Sequence, residues 1–168
     1  MLALSPSVAT NRSAHPPNIE ALRNSVAARE PKPAKPLHVL SISPAAEDHI
    51  ILSGLSDGLA WRFSGVANCS DALAVLTRNT VSIIFCETIM EDGTWKDVLF
   101  HLKTLVETPL LVVTSRLADE YLWAEVLNMG GYDVLAKPFN DREVCHVLTT
   151  AVLARGTHAQ RTHAAGAD

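Results

Sequence analysis

Pro109-Leu-Leu-Val-Val-Thr114 is a continuous apolar run that ends in a hydroxyl residue. Val81-Ser-Ile-Ile-Phe-Cys86 is a second run of this kind, and the acidic residue Glu87 follows it directly. Runs of this length and composition are typical of strands that are buried on both faces. Such strands occur in parallel sheets whose two faces are covered by helices. The two runs therefore predict the centre of a parallel sheet.

Shorter strand-like segments and helical patterns alternate with these two runs along the chain. The strand-like segments are Leu37–Ile42, Trp61–Ala67 and Asp133–Ala136. One helical pattern carries an apolar stripe at the 3.6-residue period, formed by Trp95, Val98, Leu99, Leu102, Leu105 and Val106. Strand-then-helix order, repeated five times, predicts a flavodoxin-like α/β fold. This fold is a doubly wound, five-stranded parallel sheet, (βα)5, with helices on both faces.

Composition divides the chain into three parts. The first, 1–36, holds six of the nine prolines, and five Lys/Arg against two Glu give it a charge of +3. Such a Pro-punctuated segment predicts a disordered N-terminal arm. The segment 37–155 carries eight Lys/Arg against fifteen Asp/Glu, a charge of −7, and is the predicted domain. The last part, 156–168, lacks apolar periodicity, which predicts a disordered tail.

Charge and hydropathy argue against several classes of function. The chain has a formal charge of −4 and a pI of about 5.9, which disfavours a nucleic-acid partner. No run approaches the roughly 20 apolar residues that cross a bilayer, and the N-terminus lacks a signal-peptide pattern. The three cysteines lie within apolar patterns, which indicates reduced thiols. We therefore expect a cytoplasmic protein with no membrane or nucleic-acid partner.

The residues that end the predicted strands are the candidates for a functional site, because doubly wound sheets bind ligands at this edge. They are Ser41, Ile42, Glu87, Thr114 and Lys137. Glu87 and Lys137 are the charged members, so we expect one ion pair in a nearly neutral site. The Thr114 hydroxyl is placed to donate a hydrogen bond to the same carboxylate.

Three motifs at this edge resemble the signature of response-regulator receiver domains. They are Glu87-Thr-Ile-Met-Glu-Asp-Gly93, Thr114-Ser115 and Gly130-Gly-Tyr-Asp-Val-Leu-Ala-Lys-Pro-Phe139. The resemblance covers the whole predicted domain. It implies a stand-alone signalling module of a two-component or phosphorelay pathway.

Carried over residue by residue, the resemblance places the family's phosphoacceptor aspartate on Glu87. The family's Thr/Ser and Lys positions are kept as Thr114 and Lys137. A glutamate is one methylene longer than an aspartate, which moves its carboxylate outward by about 1.5 Å. A glutamate fixed beside Thr114 and Lys137 is similar to a permanently occupied acceptor.

Other positions depart further from the family. Its acidic metal-binding pair falls on Ser41 and Ile42, so both carboxylates are lost, and its aromatic switch position falls on Val134. Mg²⁺ takes oxygen ligands that include one or two carboxylates. Phosphoryl transfer without the metal lacks its main charge neutraliser. The seven histidines show no metal-ligand spacing either. We therefore expect no metal, no cofactor and no catalytic residue.

These departures predict a degenerate receiver that is phosphorylation-independent and is not an enzyme. One alternative is a genuine phosphoacceptor response regulator that a histidine kinase phosphorylates. A further alternative is a small-molecule-binding domain that uses the vacated metal pocket. The Glu87–Lys137 pair is also open to a purely structural interpretation, as an ion pair without a signalling role.

We expect such a module to act by protein contact, because 156–168 is too short for an output domain. The resemblance implies the α4-β5-α5 face, formed by the fourth helix, the fifth strand and the fifth helix. Tyr121, Trp123 and Arg142 fall on it, and an exposed aromatic residue there is typical of a binding hot spot. The expected partner is a histidine kinase, a regulator or a like subunit, the last of which gives a homodimer.

Overall fold

The computed structural model of the protein describes residues 37–56 and 61–164, so the predicted N-terminal arm, 1–36, lies outside the described residues. Strands and helices alternate along the described chain. The strands of the main sheet are β1 (Leu37–Ile42), β2 (Trp61–Val66), β3 (Ile83–Glu87), β4 (Leu110–Ser115) and β5 (Asp133–Ala136). The helices are α1 (Ala46–Ser56), α2 (Cys69–Arg78), α3 (Trp95–Leu102), α4 (Glu120–Met129) and α5 (Asp141–Ala164). A short antiparallel hairpin, Ile89–Met90 with Gly93–Thr94, lies between β3 and α3.

The five strands form one parallel sheet in the order β2-β1-β3-β4-β5. This order reverses direction between β1 and β3, which is the switch point of a flavodoxin-like fold. In the central pair, Glu87 of β3 lies opposite Thr114 of β4. The predicted fold is therefore confirmed, and the residues that end the strands meet at one edge.

Helices cover both faces of the sheet because side chains alternate along each strand. Val39 and Ile83 pack with α1 and α5 on one face, whereas Leu40 and Ile84 pack with α2, α3 and α4 on the other. All four side chains are buried. Burying a side chain of this size stabilises the fold by about 1.5–3 kcal/mol, so the central strands hold a rigid edge for the site.

Helix α3 is shorter than its apolar stripe. The first four stripe residues are buried: Trp95, Val98, Leu99 and Leu102. The helix ends at Leu102, and Val106 is fully exposed in the loop that follows. The Thr104 hydroxyl and backbone N–H both donate to the His101 carbonyl, at 2.7 and 3.0 Å. This local hydrogen bonding competes with the helical ladder and accounts for the early end.

Helix α5 extends past the predicted end of the domain. Asn140 Oδ1 accepts hydrogen bonds from the backbone N–H groups of Arg142 and Glu143, at 2.9 and 3.4 Å, and so caps the helix. The structure has helix as far as Ala164, where the composition predicts a disordered tail from 156. No proline interrupts this stretch, and extending an established helix costs less than nucleating a new one. Residues 165–168 lie outside the described residues.

Helix α4 is positioned by a cap at each end. At its start, Asp119 accepts a hydrogen bond from the backbone N–H of Leu122 at 2.8 Å. At its end, Gly130 has a φ of 103°, a left-handed conformation that favours glycine. The two caps fix the helix beside β5, where it forms one wall of a surface groove. No helix in the described part of the chain is long and apolar enough to cross a membrane.

Candidate functional site

Glu87 and Lys137 meet at the carboxyl edge of the sheet, as predicted. Glu87 ends β3, and Lys137 follows β5 directly. The Lys137 ammonium forms an ion pair with Glu87 Oε2, and the two side chains are only 7% and 18% exposed. The other oxygen, Oε1, accepts hydrogen bonds from the backbone N–H and the hydroxyl of Thr88, both at 2.8 Å. Both oxygens of the Glu87 carboxylate are therefore engaged.

A second carboxylate, Asp48, completes this site. It lies in the first turn of α1, and its Oδ2 atom accepts hydrogen bonds from the Lys137 ammonium and from the Ser43 hydroxyl, the latter at 2.5 Å. The prediction of a single, nearly neutral ion pair is therefore wrong. Two largely buried carboxylates share one ammonium, and this triad of Asp48, Glu87 and Lys137 has a formal charge of −1.

Ser41 and Ile42, at the positions of the lost acidic pair, face opposite sides of the sheet. Ile42 is fully buried in the core beneath α2, α3 and α4. The Ser41 hydroxyl is 2.9 Å from His49 Nδ1, and His49 Nε2 is 3.1 Å from the carbonyl oxygen of Ser43. A carbonyl only accepts, so in the neutral ring Nε2 carries the hydrogen and the Ser41 hydroxyl donates to Nδ1. The Ser41 hydroxyl is therefore hydrogen-bonded to His49 of α1 and not to Glu87.

Thr114 occupies its predicted place without its predicted contact. It lies opposite Glu87 in the sheet and is buried. No hydrogen bond from the Thr114 hydroxyl to Glu87 occurs within the described part of the chain. The prediction of that hydrogen bond is wrong, since the donors to the Glu87 carboxylate are Thr88 and Lys137 instead.

These side chains do not fit the Mg²⁺ that the receiver resemblance implies. Ile42 offers no oxygen, and the hydroxyl of Ser41 is turned to His49. The remaining carboxylates, Asp48 and Glu87, both bind the Lys137 ammonium, which occupies the space between them. Among residues 37–56 and 61–164, no group of three or more His, Cys, Asp or Glu is placed to hold a metal.

The loop after β3, which carries Thr88, is fastened to the start of α2 by Asp92. The Asp92 carboxylate accepts hydrogen bonds from the Ser70 hydroxyl at 2.7 Å and from the backbone N–H groups of Cys69 and Ser70 at 2.7 and 2.8 Å. These hydrogen bonds, that of the Ser70 hydroxyl foremost, lower the pKa of Asp92 to about 2. Asp92 is therefore ionised at neutral pH and holds the loop in place.

The three residues predicted on the partner face line two different clefts. Trp123 and Arg142 line a groove of about 450 Å³ between α4, β5 and α5, which we call the α4–α5 groove. Val134, at the predicted switch position, is half-buried in its floor. The Trp123 side chain is half exposed, and its indole N–H donates to Asp133 Oδ1 at 3.4 Å. Tyr121 is largely exposed and lines a separate cleft toward the loop after β3.

The prediction from sequence missed three residues of the site, namely Ser43, Asp48 and His49. All three lie just after β1, in the connection to α1 or in its first turns. The sequence did carry a signal for Asp48, because an acidic residue in the first helical turn after a strand lies close to the carboxyl edge of the sheet. The same pattern is also common where a carboxylate merely complements the helix dipole, so it did not single out Asp48.

Solved structures share this fold. The chain aligns with a two-component response regulator from Clostridium difficile at a TM-score of 0.62 and 25% identity, over 71% of this chain and 97% of that one. It aligns with the signal receiver domain of an HD domain-containing protein from Pseudomonas fluorescens Pf-5 at a TM-score of 0.67 and 18% identity, over 73% and 99%. A CheY-like receiver domain protein from Methanospirillum hungatei JF-1 gives 0.67 and 12%, over 74% and 99%. No protein-family model and no curated protein matches the chain.

Nearly the full length of each of these structures is matched, so the shared unit is a whole receiver domain. The described domain therefore has the fold of response-regulator receiver domains, which is the fold that the resemblance predicted. Within that fold, the edge that carries Glu87, Thr114 and Lys137 has an added carboxylate on α1 and no carboxylate at the end of β1.

Proposed function

We propose that this receiver domain works without phosphorylation and passes a signal by protein contact. The observation that carries the proposal is the Lys137 ammonium, which binds Asp48 and Glu87 together. The positive charge between the two carboxylates is therefore supplied by the Lys137 side chain, which is covalently part of the protein. The triad joins α1, β3 and the end of β5, and so fixes the edge of the sheet in one state.

The chemistry of phosphoryl transfer supports this proposal. A carboxylate that accepts a phosphoryl group needs a free oxygen aligned with the donor, together with a metal ion that neutralises the transferred charge. Both oxygens of Glu87 already accept hydrogen bonds, Oε1 from Thr88 and Oε2 from Lys137. The end of β1 offers Ser41 and Ile42, which provide no carboxylate for a metal.

A receiver of this kind acts as a binding module and not as an enzyme. Its partner is a signalling protein, either a histidine kinase, a regulator or a second copy, bound through α4, β5 and α5. The α4–α5 groove supports this assignment, since it combines a half-exposed tryptophan, Trp123, with the charged residue Arg142 at one surface. Tryptophan and arginine are enriched among the residues that dominate binding energy at interfaces.

An amide NMR titration of the full chain tests the proposal. Mg²⁺ is added first, and beryllofluoride, a mimic of the phosphoryl group, is added second. We expect the signals of Glu87, Thr114 and Lys137 to stay in place at sub-millimolar Mg²⁺. Exposed carboxylates such as Glu107 serve as the reference for weak, non-specific metal contact. Concerted shifts at the site residues after both additions would contradict the proposal.

A further inference from the structure

The α4–α5 groove carries an excess of negative charge. Its rim has three carboxylates, Asp119, Asp133 and Glu143, against one guanidinium, that of Arg142. Helix α4, which forms one wall of the groove, contains no Lys or Arg in its sequence EYLWAEVLNM. A groove with this charge repels an acidic ligand and attracts a basic one.

The interior of the groove is apolar and aromatic. Its floor and walls include the side chains of Ala118, Trp123, Val134 and Val147. Trp123 remains 49% exposed, although full burial of a ring of this size is favourable. An indole face beside carboxylates suits both an aliphatic side chain and a Lys or Arg group, which stacks on the ring.

The edge of β5 is poorly suited to strand addition. It has four residues, and Asp133 Oδ1 already accepts a hydrogen bond from the backbone N–H of Val134 at 2.8 Å. Strand addition depends on a row of free backbone donors and acceptors. A helix laid between α4 and α5 uses side chains only, so it fits this groove better.

We propose that the α4–α5 groove binds a cationic amphipathic helix of another protein. The apolar stripe of that helix packs on Trp123 and Val134, and its Lys or Arg residues pair with Asp119, Asp133 and Glu143. This inference rests on the proposed function, because it names the class of partner for the same face. A second copy of the chain is a poorer occupant, since it brings the same carboxylates into contact with each other.

Three synthetic peptides test the charge preference. Each has about 15 residues, long enough for a helix of several turns, and the same leucine stripe. The polar positions are all Lys in the first peptide, all Gln in the second and all Glu in the third. Binding of labelled peptide to the full chain is measured by fluorescence anisotropy, without metal, at about 0.15 M salt. We expect the Lys peptide to bind at least about tenfold more tightly than either of the others.

Variants of the full chain locate the binding site. Trp123→Ala is expected to weaken the Lys peptide at least about tenfold, as loss of a hot-spot residue does. Phe100→Ala is its matched control, because Phe100 on α3 is 76% exposed and lies outside the groove. Glu143→Gln is expected to weaken the Lys peptide about two- to fivefold. Glu107→Gln, an exposed carboxylate after α3, is expected to change nothing.

Three results would overturn the inference. They are equal affinity for all three peptides, an unchanged affinity in Trp123→Ala, and no binding of any peptide. A concentration-dependent dimer that Glu143→Gln strengthens and that excludes the Lys peptide would assign the groove to a second copy instead. None of these results depends on metal or phosphate, so a failure here leaves the metal titration at Glu87 unaffected. Binding of the Lys peptide that appears only with Mg²⁺ and beryllofluoride would instead refute the proposed function.

Discussion

Removal of the Lys137 ammonium is the strongest perturbation that the triad allows. Lys137→Met keeps most of the side-chain volume and leaves Asp48 and Glu87 as neighbouring carboxylates without a counter-ion. Their side chains are only 10% and 18% exposed, and that of Lys137 is 7% exposed. Loss of one partner from a buried ion pair costs about 3–5 kcal/mol, because it leaves uncompensated buried charge. We expect Lys137→Met to lower the free energy of unfolding by an amount in this range.

Urea denaturation of the full chain, followed by circular dichroism at neutral pH, measures this loss. The matched control is Lys96→Met, because Lys96 and Glu125 form an ion pair at 2.5 Å whose side chains are each 45% exposed. An exposed pair of this kind contributes about 0–1 kcal/mol. The difference between the two variants therefore isolates the effect of burial.

A rescue variant distinguishes charge from shape. Lys137→Met combined with Asp48→Asn and Glu87→Gln removes all three charges and keeps similar side-chain volumes. Replacement of a whole buried ion cluster by neutral groups is tolerated far better than removal of one member, so we expect more than half of the lost free energy to return. A loss of less than about 1 kcal/mol in Lys137→Met, as in Lys96→Met, would refute the reasoning about the triad.

Three further predictions concern the frame around the site. Gly130→Ala is expected to lower the free energy of unfolding in urea by about 1–2 kcal/mol, because Gly130 has a φ of 103°. Gly54→Ala, which lies in helix α1 with open space around it, is expected to raise that free energy by about 0.5–1 kcal/mol. Equal effects of the two variants would argue against backbone strain at Gly130. Burial, with Arg62 nearby, lowers the pKa of His38 below its ordinary 6.5. The unfolded chain therefore binds a proton at His38 more readily than the folded chain, so the stability of the fold falls as the pH drops below about 6.5. His38→Gln should flatten this part of the dependence of stability on pH. An unchanged slope in the variant would exclude His38 as the cause. Burial and the Asp92 carboxylate raise the pKa of Cys69 to about 11. Iodoacetamide should therefore label the exposed Cys145 first, and Cys69 only after unfolding. Peptide mass mapping measures the order of labelling, and early labelling of Cys69 would contradict this prediction.

The fold followed from the sequence because its signals are local and repeated. The apolar runs before Glu87 and Thr114 form the central strands, and the order of strands and helices leaves few topologies. The end of α3 and the length of α5 did not follow. The first depends on a side-chain hydrogen bond of Thr104, and the second depends on helix propagation through a segment without apolar periodicity.

Only part of the site followed from the sequence. Glu87 ends β3 and Lys137 follows β5, with β4 between the two strands. Because the strands are parallel, topology places both residues at the same carboxyl edge of the sheet. Asp48 joins them from a helix, and its contact with Lys137 depends on how α1 packs across the end of β1. The packing of α1 depends on core contacts between residues that are distant in the sequence, such as the contacts that Leu52 makes on the buried side of α1. For this reason the sequence predicts a nearly neutral site, whereas the triad has a formal charge of −1.

The most direct measurement is a search for an acyl phosphate on the full chain. The protein is incubated with Mg²⁺ and acetyl phosphate, and intact mass spectrometry before and after hydroxylamine treatment detects any labile phosphoryl group. We expect no phosphoryl adduct, because Thr88 and Lys137 hold both oxygens of Glu87 and no carboxylate ends β1. A Mg²⁺-dependent, hydroxylamine-sensitive adduct that is absent from Glu87→Gln would contradict a receiver that works without phosphorylation.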